Sequence, residues 1–229
     1  MGKEIELKVP VSQEQFNAIY QKIYVQKNHK IIIILESGID KIFKSDEYFT
    51  RYNSREEMIK YNEPQVIRIR TEIINGKKQS YFTIKRKTLE NGIEVNKEDE
   101  TFLENDEALR ILFEEAGYKR WFYKEKSSYS SYCALADGEE KKSDATGKGF
   151  ESAGQTSFHL ELVTVNGMNY VEVELVIEDD EAGAKAGVKT KKPETNLKVE
   201  LEKFIIALGL NPADKDPRSW YQIISENNH

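Results

Sequence analysis

The residues best suited to chemistry come in pairs two positions apart. The first set is Glu4-Ile5-Glu6-Leu7-Lys8. In a β-strand successive side chains alternate between faces, so Glu4, Glu6 and Lys8 share one face and Ile5, Leu7 and Val9 the other. Two carboxylates so placed can hold a hard cation, and the ammonium can hold an anion. The pattern recurs at Arg68/Arg70, Lys85/Lys87, Lys124/Lys126 and Glu172/Glu174, and at Glu98/Glu100. Like charges sit together within each segment, whereas ordinary surfaces intersperse the signs.

Elements to position these pairs are legible along the chain. Strands are expected at Glu4–Val9, Ile31–Leu35, Ile42–Phe49, Val66–Arg70, Tyr81–Lys87, Glu94–Leu103, Trp121–Tyr129, Phe158–Val165 and Tyr170–Ile177. Asn75-Gly76, Asn91-Gly92 and Asn166-Gly167 supply tight turns. Ser12 with Gln15 forms a capping-box pattern for a helix over 12–24 carrying Phe16, Ile19, Tyr20 and Ile23. Further helices are expected over 54–61, capped by Ser54, and after Asn105 or Asp106 with Leu109, Leu112 and Phe113 on its stripe. Another starts near Thr195 and carries Leu197, Leu201, Phe204, Ile205 and Leu208, with Gly209 as its stop. A last helix, 218–225, has Asp216-Pro217 as cap and first residue.

Composition narrows the class. The chain has 229 residues, enough for one sizeable core, so 1–229 is expected to be a single domain. Polar stretches at 134–157 and 179–192 read as mobile loops. One cysteine, Cys133, excludes a disulfide framework, and scattered histidines argue against a histidine zinc site. His159 reads as a structural polar residue, and Tyr129 and Tyr132 as packing. The net charge of −6 argues against a nucleic-acid partner. With no apolar run of membrane-spanning length and no signal core, a cytoplasmic protein with no membrane partner is expected. A monomer and a homodimer are both open.

Many strands between turns point to an antiparallel sheet or barrel. The apolar faces match the amphipathic helices, which would pack outside. The charged faces would then line a lumen of many cations beside a few carboxylates. Buried like charges need compensation. A polyphosphate chain would compensate the lysines and arginines, and a divalent metal the glutamates. The bland alternative is a sheet with one solvated face.

The chain resembles the CYTH superfamily, the triphosphate tunnel metalloenzymes. Glu4-Ile5-Glu6-Leu7-Lys8 matches that family's E-x-E-x-K, Asp46-Glu47-Tyr48-Phe49 its D-x-Y-F, and Arg68-Ile69-Arg70 its R-x-R. Lys85 with Lys87, Glu98 with Glu100, Lys124-Glu125-Lys126 and Glu172-Val173-Glu174 follow in the family's order. Arg218-Ser219-Trp220-Tyr221 resembles its C-terminal R-S-Y segment, with Trp220 in place of the tyrosine.

The resemblance implies an α+β fold, an eight-stranded antiparallel closed barrel or tunnel. It implies Mg²⁺ or Mn²⁺ held by Glu4, Glu6, Glu172 and Glu174. A triphosphate-containing small molecule would be clamped by Lys8, Arg68, Arg70, Lys85, Lys87, Lys124, Lys126 and Arg218. Of these, Lys8, Arg68, Arg70 and Lys85 are the expected catalytic cations. Glu98, Glu100, Tyr48 and Glu161 are expected in support. The activity implied first is hydrolysis of inorganic triphosphate or of a nucleoside or other organic triphosphate. The alternatives are cyclisation of ATP to cyclic AMP and, in another class, non-catalytic polyphosphate or nucleotide binding.

Overall fold

In the computed structural model the alternating segments join in one closed antiparallel barrel. The structure describes residues 2–25, 32–61, 65–91, 93–136, 156–178 and 194–227. The strands are β1 (Gly2–Pro10), β2 (Ile32–Thr50), β3 (Val66–Ile74), β4 (Lys77–Glu90), β5 (Ile93–Leu103), β6 (Lys119–Leu135), β7 (Phe158–Val165) and β8 (Met168–Glu178). Their order around the barrel is β1-β5-β4-β3-β2-β6-β7-β8, and β8 closes on β1. The α+β barrel with helices outside is thus the architecture that the resemblance implied.

Local chemistry accounts for the turns. Asn75 and Gly76 have φ of 51° and 75°, and Asn166 and Gly167 have 49° and 78°. Two-residue hairpin turns of matching twist need positive φ at both positions, which asparagine and glycine tolerate best. The two strands expected at 31–35 and 42–49 are instead parts of one long strand, β2, with Ile31 outside the described residues. Register shifts against β6 between Ile34 and Ile42 keep it in the sheet across the polar 36–41 stretch.

The helices cover apolar parts of the barrel's outer face. Helix α1 (Gln13–Tyr20) has the expected Ser12–Gln15 capping box, but the chain then passes into a π-helical turn, Gln21–Val25, within the span expected to be one helix. Helix α2 (Arg55–Lys60) is capped by Ser54, whose Oγ accepts from the Glu57 N–H at 3.2 Å. Helix α3 (Asp106–Glu115), capped by Asn105, sets Leu109 and Phe113 against Phe49 and Ile69. Leu112, expected on that stripe, is exposed, because Leu109 and Phe113 one turn apart already take the barrel face. Helix α4 (Glu194–Leu208) buries Leu197, Leu201, Phe204, Ile205 and Leu208 as expected. With α1 it covers Ile5, Leu7, Val9, Leu160, Leu162, Val171, Val173 and Leu175 in one core.

Helix α5 (Trp220–Asn227) starts later than expected. Ser219 caps it: its Oγ accepts from the Gln222 N–H at 3.3 Å, and the Gln222 side chain accepts from the Ser219 N–H at 2.8 Å. Asp216 instead bonds Arg218 and Tyr170. Ile223 and Ile224 pack on Val163, Val165 and Tyr170, so α5 lies across one end of the barrel. The loop expected from 134 begins later, because Ala134 and Leu135 belong to β6. Residues 137–155 and 179–193, which hold most of the two expected loops, lie outside the described residues. Among the described residues no helix is long and apolar enough to cross a membrane.

Candidate functional site

Cross-strand partners in an antiparallel ladder point to the same side. Glu6 pairs with Glu94 and with Glu174, Lys8 with Glu172, and Lys85 with Glu98. Arg68 pairs with Thr83 and with Tyr48, Asp46 with Arg70 and with Lys124, and Glu161 with Glu172. One face of every strand therefore delivers its charges to the barrel interior. They surround a cavity of about 240 Å³ lined by Glu4, Glu6, Glu172 and Glu174, and by Arg68, Arg70, Lys85, Lys87, Lys124 and Lys126. The solvated-face alternative does not hold. Lys124 and Lys126 are 4% and 5% exposed and Glu172 7%.

Three ion-pair centres organise the lumen. Asp46, with no exposure, is gripped by Arg70 (Nε–Oδ1 2.7 Å, Nη2–Oδ2 3.1 Å) and by Lys124 at 3.1 Å. Burial opposes its charge, but Arg70 and then Lys124 outweigh it and hold the carboxyl well below its usual range. Lys126 bridges Glu161 at 2.7 Å and Glu172 at 2.8 Å, and Lys44 also pairs with Glu161. Lys85 lies 2.5 Å from Glu98, 3.6 Å from Glu4 and 3.9 Å from Glu6. Arg68 donates to Thr83 Oγ1 at 3.0 Å and approaches Glu100 at 3.5 Å.

On the acidic side of the lumen, burial and mutual repulsion shift the carboxyls. Burial and then Glu174 push the Glu4 carboxyl far above its usual range. Burial, then Glu94 and Glu172, push Glu6 up to about 7. Glu174 goes the other way, because His159 outweighs the effect of burial and holds it down. His159 Nδ1 lies 3.3 Å from Glu174, and its Nε2 lies 2.8 Å from Ser130 Oγ.

The fit to a divalent cation rests on donor chemistry and on an unmet demand. Glu4, Glu6, Glu172 and Glu174 supply the hard oxygen donors that Mg²⁺ and Mn²⁺ prefer. Asn96, directly across from Glu4, is fully buried, and neither side-chain polar atom has a hydrogen-bond partner among the described residues. A buried amide without partners is costly unless something else satisfies it. Among the described residues, however, no three acidic or histidine side chains are already gathered as a metal cluster.

The expected residues line the cavity except Lys8 and Arg218. Lys8, buried, sits just outside the cavity wall, 3.6 Å from Glu94. Tyr48, Glu98, Glu100 and Glu161 line the cavity. Arg218 is not brought to it. Its guanidinium binds Asp216 at 2.7 Å and Glu226 at 2.5 Å, and its side chain is 42% exposed. Asp216 accepts from the Arg218 N–H as well as from its guanidinium, which turns that side chain away from the barrel axis.

Sequence reading missed Lys44, Glu94 and the lumen position of His159. Alternation along Lys44-x-Asp46-x-Tyr48 and along Glu94-x-Asn96-x-Glu98 carries the signal for the first two. These additions change the expected balance. Carboxylates (Glu4, Glu6, Glu94, Glu98, Glu100, Glu161, Glu172, Glu174) outnumber the lining lysines and arginines by one rather than being few. Trp220, the departure from the family pattern, donates its indole N–H to Glu172 at 2.6 Å and lies under Lys8 and Lys124.

No protein-family model and no curated protein matches the sequence. Solved structures do. A "conserved hypothetical protein" from Pyrococcus furiosus matches with a TM-score of 0.60 at 18% identity, over 96% of this chain and 98% of that one. A protein from Pyrococcus horikoshii matches with a TM-score of 0.61 at 16% identity, over 98% and 99%. A protein from Vibrio parahaemolyticus described as a "putative adenylate cyclase" matches with a TM-score of 0.59 at 16% identity, over 97% of each chain. At these identities the likeness is one of fold, and it extends over nearly the whole chain.

Proposed function

We propose that this chain is a CYTH-type, metal-dependent enzyme that processes a triphosphate inside its barrel, most simply by hydrolysis. One observation carries the reading. One cavity inside the barrel brings Arg68, Arg70, Lys85, Lys87, Lys124 and Lys126 together with Glu4, Glu6, Glu172 and Glu174. Phosphate recognition alone needs the cations. The acidic set, with Glu4 and Glu6 forced up in pKa by burial and by neighbouring carboxylates despite Lys85, suits a metal as well.

The residues divide the work by chemistry. Arg68 and Arg70 present planar forks suited to two phosphate oxygens at once, and the lysines act as compact charges. Asp46 and Glu98 hold Arg70, Lys124 and Lys85 in place, so little reorganisation is needed when charge develops on the phosphates. Glu4, Glu6, Glu172 and Glu174 would hold Mg²⁺ or Mn²⁺, which supplies Lewis-acid stabilisation of phosphate oxygens. In hydrolysis, water would attack phosphorus, the bridging P–O bond would break with its electron pair going to the leaving phosphate in the cationic lining, and the water's proton would end on that phosphate.

Cyclisation of ATP is the second reading. It is favoured by the fold shared with the protein described as a "putative adenylate cyclase". There the ribose hydroxyl replaces water and pyrophosphate leaves. Incubation with inorganic triphosphate and, separately, with ATP in Mg²⁺ or Mn²⁺ separates the cases. Phosphate release supports hydrolysis, and cyclic AMP with pyrophosphate supports cyclisation. Tight phosphate-ligand binding with no product in either metal would refute enzymatic turnover and leave a binding module.

A further inference from the structure

Among the described residues one buried amide of the barrel wall makes no side-chain hydrogen bond. Asn96 lies on the inward face of β5, in the row Glu94-x-Asn96-x-Glu98-x-Glu100. It has no solvent exposure, and both its side-chain oxygen and its side-chain nitrogen lack a partner among the described residues. The polar groups around it are paired: Glu94 with Lys8 and Lys87, Glu98 with Lys85, and Thr83 with Arg68 and Glu100. Arg68 Nε is unpaired as well, but the same guanidinium donates to Thr83. A buried amide left in this way costs stability, and both its atoms remain available to a ligand.

The neighbours of Asn96 indicate which ligand. It pairs with Glu4 on β1 and with Lys87 on β4, and cross-strand partners lie side by side on one face. Both partners line the cavity. Glu4 is a carboxylate suited to a divalent cation, and Lys87 is an ammonium suited to phosphate. An amide offers an acceptor oxygen and two N–H donors, so it can serve a cation through one atom and a phosphate oxygen through the other. Its carbonyl oxygen is a hard donor that brings no charge. A carboxylate at this position would add one more negative charge beside Glu4, Glu94 and Glu98. Glu4 and Lys87 are long side chains, so their rotation opens the way to the amide without moving the strands.

We infer that Asn96 is a ligand-binding residue of the lumen, whose carbonyl oxygen joins Glu4 on the divalent cation while its amino group donates to a phosphate oxygen beside Lys87. This rests on the triphosphate reading above and adds a neutral residue to its charged lining.

The test compares the full chain with Asn96→Leu, which removes both polar atoms at similar volume, and with Asn96→Asp, which keeps an oxygen donor and loses the amino group. The readouts are the thermal midpoint without and with Mg²⁺, and calorimetric titration of inorganic triphosphate in Mg²⁺. The metal-free midpoint of Asn96→Leu should lie at or above that of the wild type, because an unsatisfied buried amide is gone. Its Mg²⁺-induced rise should shrink, and its triphosphate affinity should fall by about tenfold or more, the scale of one lost hydrogen bond to a charged group. Asn96→Asp should keep at least the wild-type Mg²⁺ rise yet lose triphosphate affinity, and it carries the test if Asn96→Leu does not fold. A wild-type Mg²⁺ rise and triphosphate affinity in Asn96→Leu, or wild-type triphosphate affinity in Asn96→Asp, overturns the inference while the triphosphate reading stands. A wild type that responds to neither Mg²⁺ nor triphosphate overturns both.

Discussion

Arg70 grips Asp46 at two points, Nε to Oδ1 at 2.7 Å and Nη2 to Oδ2 at 3.1 Å, inside a wall that leaves the carboxylate no solvent exposure. The two residues are direct cross-strand partners on β2 and β3, and Lys124 approaches from the other flank on β6. Asp46→Ala would leave Arg70 and Lys124 buried without their counter-charge. Urea unfolding at pH 7 should show a loss of about 3–5 kcal/mol, the usual cost of breaking one side of a buried pair.

The same carboxylate sets a pH signature. Its native pKa lies well below the ordinary 3.8, so its contribution is complete above that value and drains away as pH falls below it. The stability gap between wild type and Asp46→Asn should therefore narrow on acidification below about pH 3.8. A gap of constant size down to the acid transition would remove Asp46 as the source.

On the proposed reading, position in the lumen rather than charge alone selects the arginines that would bind phosphate. Arg68 lines the cavity and Arg218 does not. Arg68→Ala should weaken triphosphate binding by about ten- to a hundredfold, the scale of one lost charged hydrogen bond. Arg68→Lys should recover only part, because lysine lacks the planar fork. Arg218→Ala should move the affinity far less, which the same titration measures.

Glu4 offers a test of the metal site that does not depend on turnover. Its raised pKa keeps the carboxyl protonated at pH 7, so Glu4→Gln is close to isosteric and isoelectronic without metal. The thermal midpoint of the metal-free variant should stay near that of the wild type. Mg²⁺ or Mn²⁺ should raise the wild-type midpoint, as any ligand of the native state does, and the rise should disappear in Glu4→Gln. An equal rise in both proteins would place the ion elsewhere.

The outer helix α4 packs on the apolar face of the barrel. Phe204 on α4 is fully buried and stacks on Phe158 of β7 with ring centroids 4.4 Å apart. Phe204→Ala should cost about 3–5 kcal/mol in urea unfolding, and Phe204→Leu clearly less.

Cys133 is fully buried, and burial alone pushes its thiol up to about 12. Only the thiolate is reactive. A thiol-specific reagent at pH 8 should therefore label the native protein very slowly and the urea-unfolded protein at once.

The sequence by itself determined the alternation that sends Glu4, Glu6, Arg68, Arg70, Lys85, Glu172 and Glu174 to one side of their strands. That property is local, fixed by the two-residue period of a strand and by apolar neighbours such as Ile5 and Ile69. It also determined the asparagine–glycine turns and the α4 stripe, which need no distant partner. Tertiary structure alone decided which charges meet. Arg218 carries the right motif, but Asp216 beside it turns it outward, a competition that spacing does not reveal. Lys44 and Glu94 share that local alternation, but register with β6 and β1 decided which charges they meet, and the β7–β8 register set His159 beside Glu174. The bulge at Trp121, where one extra residue meets no partner on β2, turned two consecutive aromatics into one wall. Strand register and closure are long-range geometry, and they turn a face of charges into a site.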